Sequence, residues 1–296
     1  MTDAPGMSTL AFIPGISYGE DINDRHAFIQ VLDAVRGRSE YFRFDISTFK
    51  FSEEKFEIKI GNNLFNAEGM EVSLENKHSS YSGKLLFSKI VPFPHNILSP
   101  RIMGPFRWAP FMECYHDVIN IRHTLSGVID TEDGGLDFNG GTGYLEKDWG
   151  SSFPKSWIWL QCNHFDEPGA SFMLSYAPIP FMGTCFKGLV AFIRTESSFF
   201  RMATYNGFKV TSLDIGKDEL NLIAVSRKRA LNVRVVLEPG SILKAPRNGL
   251  MGKNITESLS SRIDITMIEK KGKILFMDKG RAAGVGLGGD KNDLIP

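Results

Sequence analysis

Short segments of apolar or alternating residues, each closed by Gly, Pro, Asn or Asp, run from one end of this 296-residue chain to the other. In the first half they fall at residues 9–13, 26–32, 41–44, 56–60, 70–74, 81–87 and 115–121, and the run 157–165 follows. The second half continues with 172–176, 189–194, 199–205, 220–225, 231–237, 263–268 and 274–277. Many short strands with frequent turn signals belong to antiparallel sandwiches or barrels. Only residues 29–35 carry a moderate helical pattern, and they read equally well as a strand. The chain is therefore expected to be all-β. Five prolines between Pro92 and Pro110 exclude a central strand there and mark a long connection. The length admits two domains or one large one.

Charge narrows the partners. Thirty-four Lys and Arg balance thirty-four Asp and Glu, whereas nucleic acid or an anionic membrane surface calls for positive excess. No nucleic-acid partner is expected, and at most peripheral contact with a membrane. The tight basic run Arg227-Lys228-Arg229 reads as a solvated strand edge. No basic region followed by an apolar one opens the chain, and three widely spaced cysteines form no CxxC pair. A reducing, cytoplasmic setting is the expectation.

Several motifs fail on context. Gly15-Ile16-Ser17-Tyr18-Gly19 matches the GxSxG of serine hydrolases, but almost no chain precedes it to supply an oxyanion strand, so a strand ending in a glycine turn is preferred. The glycine-rich run Gly284–Gly289 lacks the Lys-Ser/Thr pair and the helix of a phosphate loop. Cys114-x-His116 and Cys162-x-His164 each put two ligand types on one strand face, yet zinc needs three or four protein ligands. Buried thiols and hydrogen-bonded imidazoles explain both pairs more simply, and no metal is expected.

The most unusual stretch is 144–165, which holds three of the four tryptophans. Extended geometry puts Trp157, Trp159, Gln161 and Asn163 on one face and Ile158, Leu160, Cys162 and His164 on the other. Aromatic area with a few amides suits a ligand-cavity wall, and it equally suits a core strand with two satisfied amides. Upstream, Glu146 and Asp148 share a face ~7 Å apart if extended. Paired carboxyls raise the proton affinity of one member, as a general acid requires. By residue type alone, a solvated Glu-Lys-Asp turn is the simpler reading.

The pattern Tyr144-x-Glu146-Lys147-x-Trp149-Gly150, Phe153-Pro154, Trp157-x-Trp159-x-Gln161-x-Asn163-x-Phe165 resembles the signature of the tocopherol cyclase family. Phe12–Ser17, His26–Gln30, Ile60–Asn63, Phe111–His116 with His123, and Leu243–Pro246 extend the likeness. A weaker similarity, an acid followed by Trp and a Trp-x-Trp strand, links the chain to carotenoid hydratases and lipocalin-like relatives. The resemblance implies two tandem lipocalin-like antiparallel β-barrel or sandwich domains, 1–150 and 151–296, meeting near the motif. Residues 1–8 leave little room for the strand with which family members begin, so the first domain is expected to lack that strand or to be covered differently.

The resemblance also implies a chemistry. Tocopherol cyclases close a chroman ring: an acid protonates a prenyl double bond and the phenol oxygen captures the tertiary cation, with no cofactor. A prenylated quinol, a carotenoid or another lipid is the implied partner. Glu146 is the implied acid, because plant members are similar but carry Asn at the position of Asp148. Tyr144, Lys147, Trp149, Trp157, Trp159, Gln161 and Asn163 are the implied substrate contacts, the aromatic faces being suited to a cation. Glu113 and His123, on one face in unbroken alternation, form a second candidate acid–base pair. The competing expectation is a lipid-binding protein that does no chemistry.

Overall fold

The computed structural model describes residues 1–19, 21–95, 100–181 and 183–296. Among them there is no α-helix, only strands and five short 3-10 turns, so the all-β expectation holds. Among the described residues no helix is long and apolar enough to cross a membrane. Every strand pairing resolved is antiparallel, in three sheets of three, eight and eleven strands.

The three-stranded sheet consists of Leu10–Ser17, His26–Asp33 and Arg38–Phe44 in that order. Its middle strand is buried at every position, because it is paired on both sides and covered on both faces. That strand ends the ambiguity over 29–35, which begins as strand and leaves it at Asp33. Gly15 and Ser17 lie inside the first strand, and a Cβ on Gly15 would meet the Phe28 ring at 2.4 Å. Gly15 is thus a packing glycine beneath an aromatic ring. Arg227 and Lys228 correct an expectation: they lie in the turn between strands Glu219–Val225 and Arg229–Val236, not along a strand edge. The proline-rich connection includes a 3-10 turn at Gly104–Trp108, and residues 96–99 of it lie outside the described residues.

Two compact units are present, each assembled from three stretches of chain. One comprises Met1–Val91, Arg122–Tyr144 and Ser241–Asn254, and the other Pro92–Ile121, Leu145–Gly240 and Ile255–Pro296. The first has a core that includes Leu10, Ile29, Val31, Phe42, Tyr81 and Leu85. The second has a core that includes Ile158, Leu160, Phe172, Leu174, Leu222 and Val285.

Candidate active site

In the second unit the strand Trp157–Cys162 lies between Ser171–Phe181 and Ile274–Gly288. Strand alternation sends Ile158, Leu160 and Cys162 into the core cluster. Trp157, Trp159 and Gln161 take the opposite face, as expected from the sequence. Across the sheet they pair with Gly288, Gly286 and Gly284 on one side. On the other side Trp159 and Gln161 pair with Ser175 and Met173, and Met173 in turn with Phe192. Trp157, Met173 and Phe192 are buried yet stand outside the core cluster, so the unit has a second apolar layer on this face.

The glycine row gives that layer its shape. A Cβ at Gly288 would stand 2.3 Å from the Trp157 ring, and one at Gly284 would stand 2.7 Å from Trp159. The indoles therefore occupy space that side chains at these glycines would fill. Gly286 also pairs with Glu257 on strand Leu250–Glu269, whose carboxylate Oε1 is 3.1 Å from the same kind of added Cβ. Trp159, Gly286 and Glu257 form one cross-strand row, with Trp159 and Glu257 two strand spacings (~10 Å) apart.

Glu146, Asp148 and His116 complete the polar part. Glu146 and Asp148 lie on strand Thr142–Gly150, which pairs with Cys114–Thr131, the strand that carries His116. His116 Nδ1 is 2.8 Å from Asp148 Oδ1, and its Nε2 is 3.7 Å from Glu146 Oε2. The Trp159 indole N–H donates to Glu146 Oε2 at 3.2 Å. The expected carboxyl pair thus exists, but an imidazole bridges it. Burial alone would depress His116; Asp148, then Glu146 and Asp117, outweigh it and carry the imidazole up to about 9, so it is cationic at neutral pH. Glu257 responds in the opposite sense. Burial first, then the charges of Glu146 and Asp148, push its carboxyl up to about 8. The site therefore holds, at neutral pH, an imidazolium beside two carboxyl groups and a third carboxyl that keeps its proton.

His116, Glu146 and Asp148 bring ligand-type atoms within 4.8 Å of one another. Their geometry is that of a hydrogen-bonded ion-pair network. One carboxyl is at hydrogen-bond distance from the ring and the other is engaged by an indole, and we assign no metal to them.

The remaining expected residues are placed as follows. Trp149 and Lys147 alternate onto the other face of their strand and are exposed. Trp149 stacks on Tyr115 at 5.3 Å, and Lys147 Nζ lies 4.9 Å from the Trp149 ring. Gln161 is half-buried, and its Nε2 has no hydrogen-bond partner among the described residues. Asn163 stands at the break after the strand and donates its amide to the Ile121 carbonyl at 3.0 Å. Tyr144 is half-buried and belongs to the first unit. Glu113 and His123 fall in different units. Glu113 is exposed and its carbonyl accepts from Ser151 and Ser152 N–H, whereas His123 is buried 4.0 Å from the Phe87 ring. Burial holds the His123 imidazole down at about 3. Cys114 shares the strand face of His116, and burial raises its thiol far out of the reactive range.

Sequence reasoning passed over two members of this cluster. His116 appeared in a failed metal motif and at the end of the family-like Phe111–His116 segment, with no role at the site, and Glu257 did not appear at all. The available signal was the two-residue glycine period 284, 286, 288, which bares one strand face for its neighbours.

The sequence model of a family described as tocopherol cyclase-like matches residues 103–289. A chloroplastic tocopherol cyclase of Zea mays is 37% identical over 62 residues, and a probable chloroplastic tocopherol cyclase of Oryza sativa subsp. japonica is 26% identical over 143 residues. These matches cover 21% and 46% of this chain but only 13% and 30% of the plant proteins. The solved kievitone hydratase of Nectria haematococca has a similar fold over 98% of this chain and 87% of its own, with a TM-score of 0.54 and 9% identity.

Proposed function

This chain belongs to the tocopherol cyclase-like family, and from that premise we propose that it catalyses cofactor-free ring closure or hydration of a prenylated quinol or polyene by protonating a carbon–carbon double bond. The observation that carries this reading is the hydrogen bond from Trp159 to Glu146, thirteen residues apart in the chain, within a network that includes His116 and Asp148. Alkene protonation needs an acid–base group held beside a surface that tolerates a carbocation. Glu146 supplies the first, and the indoles of Trp157 and Trp159 supply the second through their negative faces. The reaction is redox-neutral, since electrons and protons only change places within substrate and water. The attacking oxygen is the substrate phenol in a ring closure and water in a hydration.

Glu146 is the acid–base residue at the centre of this reading. Geranylhydroquinone incubated with the protein in heavy water should give a cyclised or hydrated product carrying deuterium at the protonated carbon. Glu146→Gln keeps size and hydrogen bonding but cannot exchange the proton, so turnover should fall by roughly 10²–10⁴ while thermal unfolding changes little. A folded Glu146→Gln protein with full turnover would remove Glu146 from the chemistry.

A further inference from the structure

We propose that Glu257 is a second catalytic residue of this site, the carboxylic acid that delivers the proton to the double bond, and that Glu146 accepts the proton released by the attacking oxygen. The assignment rests on the alkene-protonation reading above and divides its acid–base work between two residues.

Geometry separates the two carboxyls. Glu146 faces donors, the Trp159 indole N–H at 3.2 Å and the His116 ring nitrogen at 3.7 Å, so its oxygens are placed to accept. Glu257 projects over Gly286, where a missing side chain opens the way toward Trp159 in the same cross-strand row. The elements around it contribute a glycine and an indole from the strands alongside, and Glu146 and Asp148 from strand Thr142–Gly150; His116, on the strand beyond, neutralises part of that charge. Two negative neighbours and apolar surfaces favour the neutral acid, and the rise of Glu257 to about 8 agrees with the placement. Of two carboxyls in one site, the one that keeps its proton at working pH is the acid.

The step balances without a co-reactant. The Glu257 O–H bond breaks and a C–H bond forms at the less substituted alkene carbon. The tertiary cation that remains lies over the Trp159 face. The phenol or water oxygen bonds to it, and its proton passes to Glu146. Return of that proton to Glu257 through solvent restores the starting state.

The test uses the whole chain as wild type, Glu257→Gln and Glu146→Gln. Deuterium incorporation into geranylhydroquinone product is measured across pH, alongside thermal unfolding and the infrared band of a neutral carboxylic acid. Wild-type turnover should fall above pH 8, as Glu257 loses its proton, and also on the acid side, where Glu146 becomes protonated. Folded Glu257→Gln should lose at least a hundredfold in rate and should also lose the carboxyl band. In Glu146→Gln that band should persist but titrate at lower pH, because a negative neighbour is gone. This last result needs neither turnover nor a stable Glu257→Gln protein. Full turnover in folded Glu257→Gln, or no carboxyl band titrating near pH 8 in wild type, overturns the donor assignment and leaves the alkene-protonation reading standing. Absence of any deuterated product from the wild type overturns that reading and the donor role with it, whereas the infrared titration still reports on Glu257.

Discussion

His116 and Glu257 share the charges of Glu146 and Asp148, and both gain affinity for a proton from them. The consequence for stability has one sign. His116 titrates at about 9 in the folded chain against 6.5 for an ordinary imidazole, so its contribution is complete below 6.5 and lost as pH rises through 9. Glu257 titrates at about 8 against 4.5, so its contribution is complete below 4.5 and lost as pH rises through 8. The melting temperature should fall on the alkaline side, and Glu257→Gln should flatten the part of that fall below pH 8. Differential scanning fluorimetry from pH 5 to 9.5 on both proteins checks this, and superimposable curves would contradict it. His123 acts in the opposite direction. Its imidazole sits near 3 when folded, so it costs no stability above 6.5 and an increasing amount as pH falls toward 3. Neither ring nitrogen has a hydrogen-bond partner among the described residues, and the ring lies against Phe87. Replacing it with Leu removes two unsatisfied polar atoms and a titration. The His123→Leu protein should match or exceed wild type at pH 7 and outlast it at pH 4, measured by urea unfolding at each pH.

At the scale of the element, the strand Ile274–Gly288 determines what its neighbours can place beside it. Its glycines 284, 286 and 288 leave one face bare, and Trp157, Trp159 and Glu257 occupy the space. The three positions differ in what a methyl group would meet. At Gly288 it meets rigid, buried Trp157 atoms at 2.3 Å, and Gly288→Ala should cost about 1–3 kcal/mol of stability through overpacking. At Gly286 it meets the end of a flexible Glu257 side chain at 3.1 Å. Gly286→Ala should therefore spare the fold and disturb the alkaline limb of turnover. Urea denaturation and the pH–rate profile, measured on both variants, separate the two effects; equal stability losses would show the row to be uniform packing. The face partition of Trp157–Cys162 was legible in the sequence because period-two alternation follows from backbone geometry alone. Which face carried the polar cluster was not legible, since Glu257 comes from nearly a hundred residues further along the chain.

Across the whole molecule, each compact unit draws on three separate stretches of chain. The stretch Ser241–Asn254 belongs with the first unit, where Gln30 holds it by two backbone bonds. Its amide donates to the Lys244 carbonyl and its oxygen accepts from the Lys244 N–H, both at 2.8 Å. Gln30 is buried, so Gln30→Ala leaves two backbone groups unpaired and should cost about 1–3 kcal/mol. Equilibrium unfolding measures that loss, and an unchanged midpoint would show that the pairing contributes nothing. Binding of an apolar substrate acts at the same scale. Geranylhydroquinone at about 100 times its dissociation constant should raise stability by about 2.7 kcal/mol, read as a thermal shift.

The local pattern of this chain determined its class, its strands and the two faces of its tryptophan strand, because alternation and turn residues act on the backbone within a few positions. The family signature also pointed to Glu146 and Trp159 as candidate site residues. Tertiary structure decided the rest. It set an imidazole between Glu146 and Asp148, brought Glu257 over a glycine into the same row, and put Glu113 and His123 in different units. Those outcomes depend on strand register and on the order of strands in a sheet. Both are settled by which apolar faces can be buried together over long separations, and the protonation of each acid then follows from the charges and the burial it meets there.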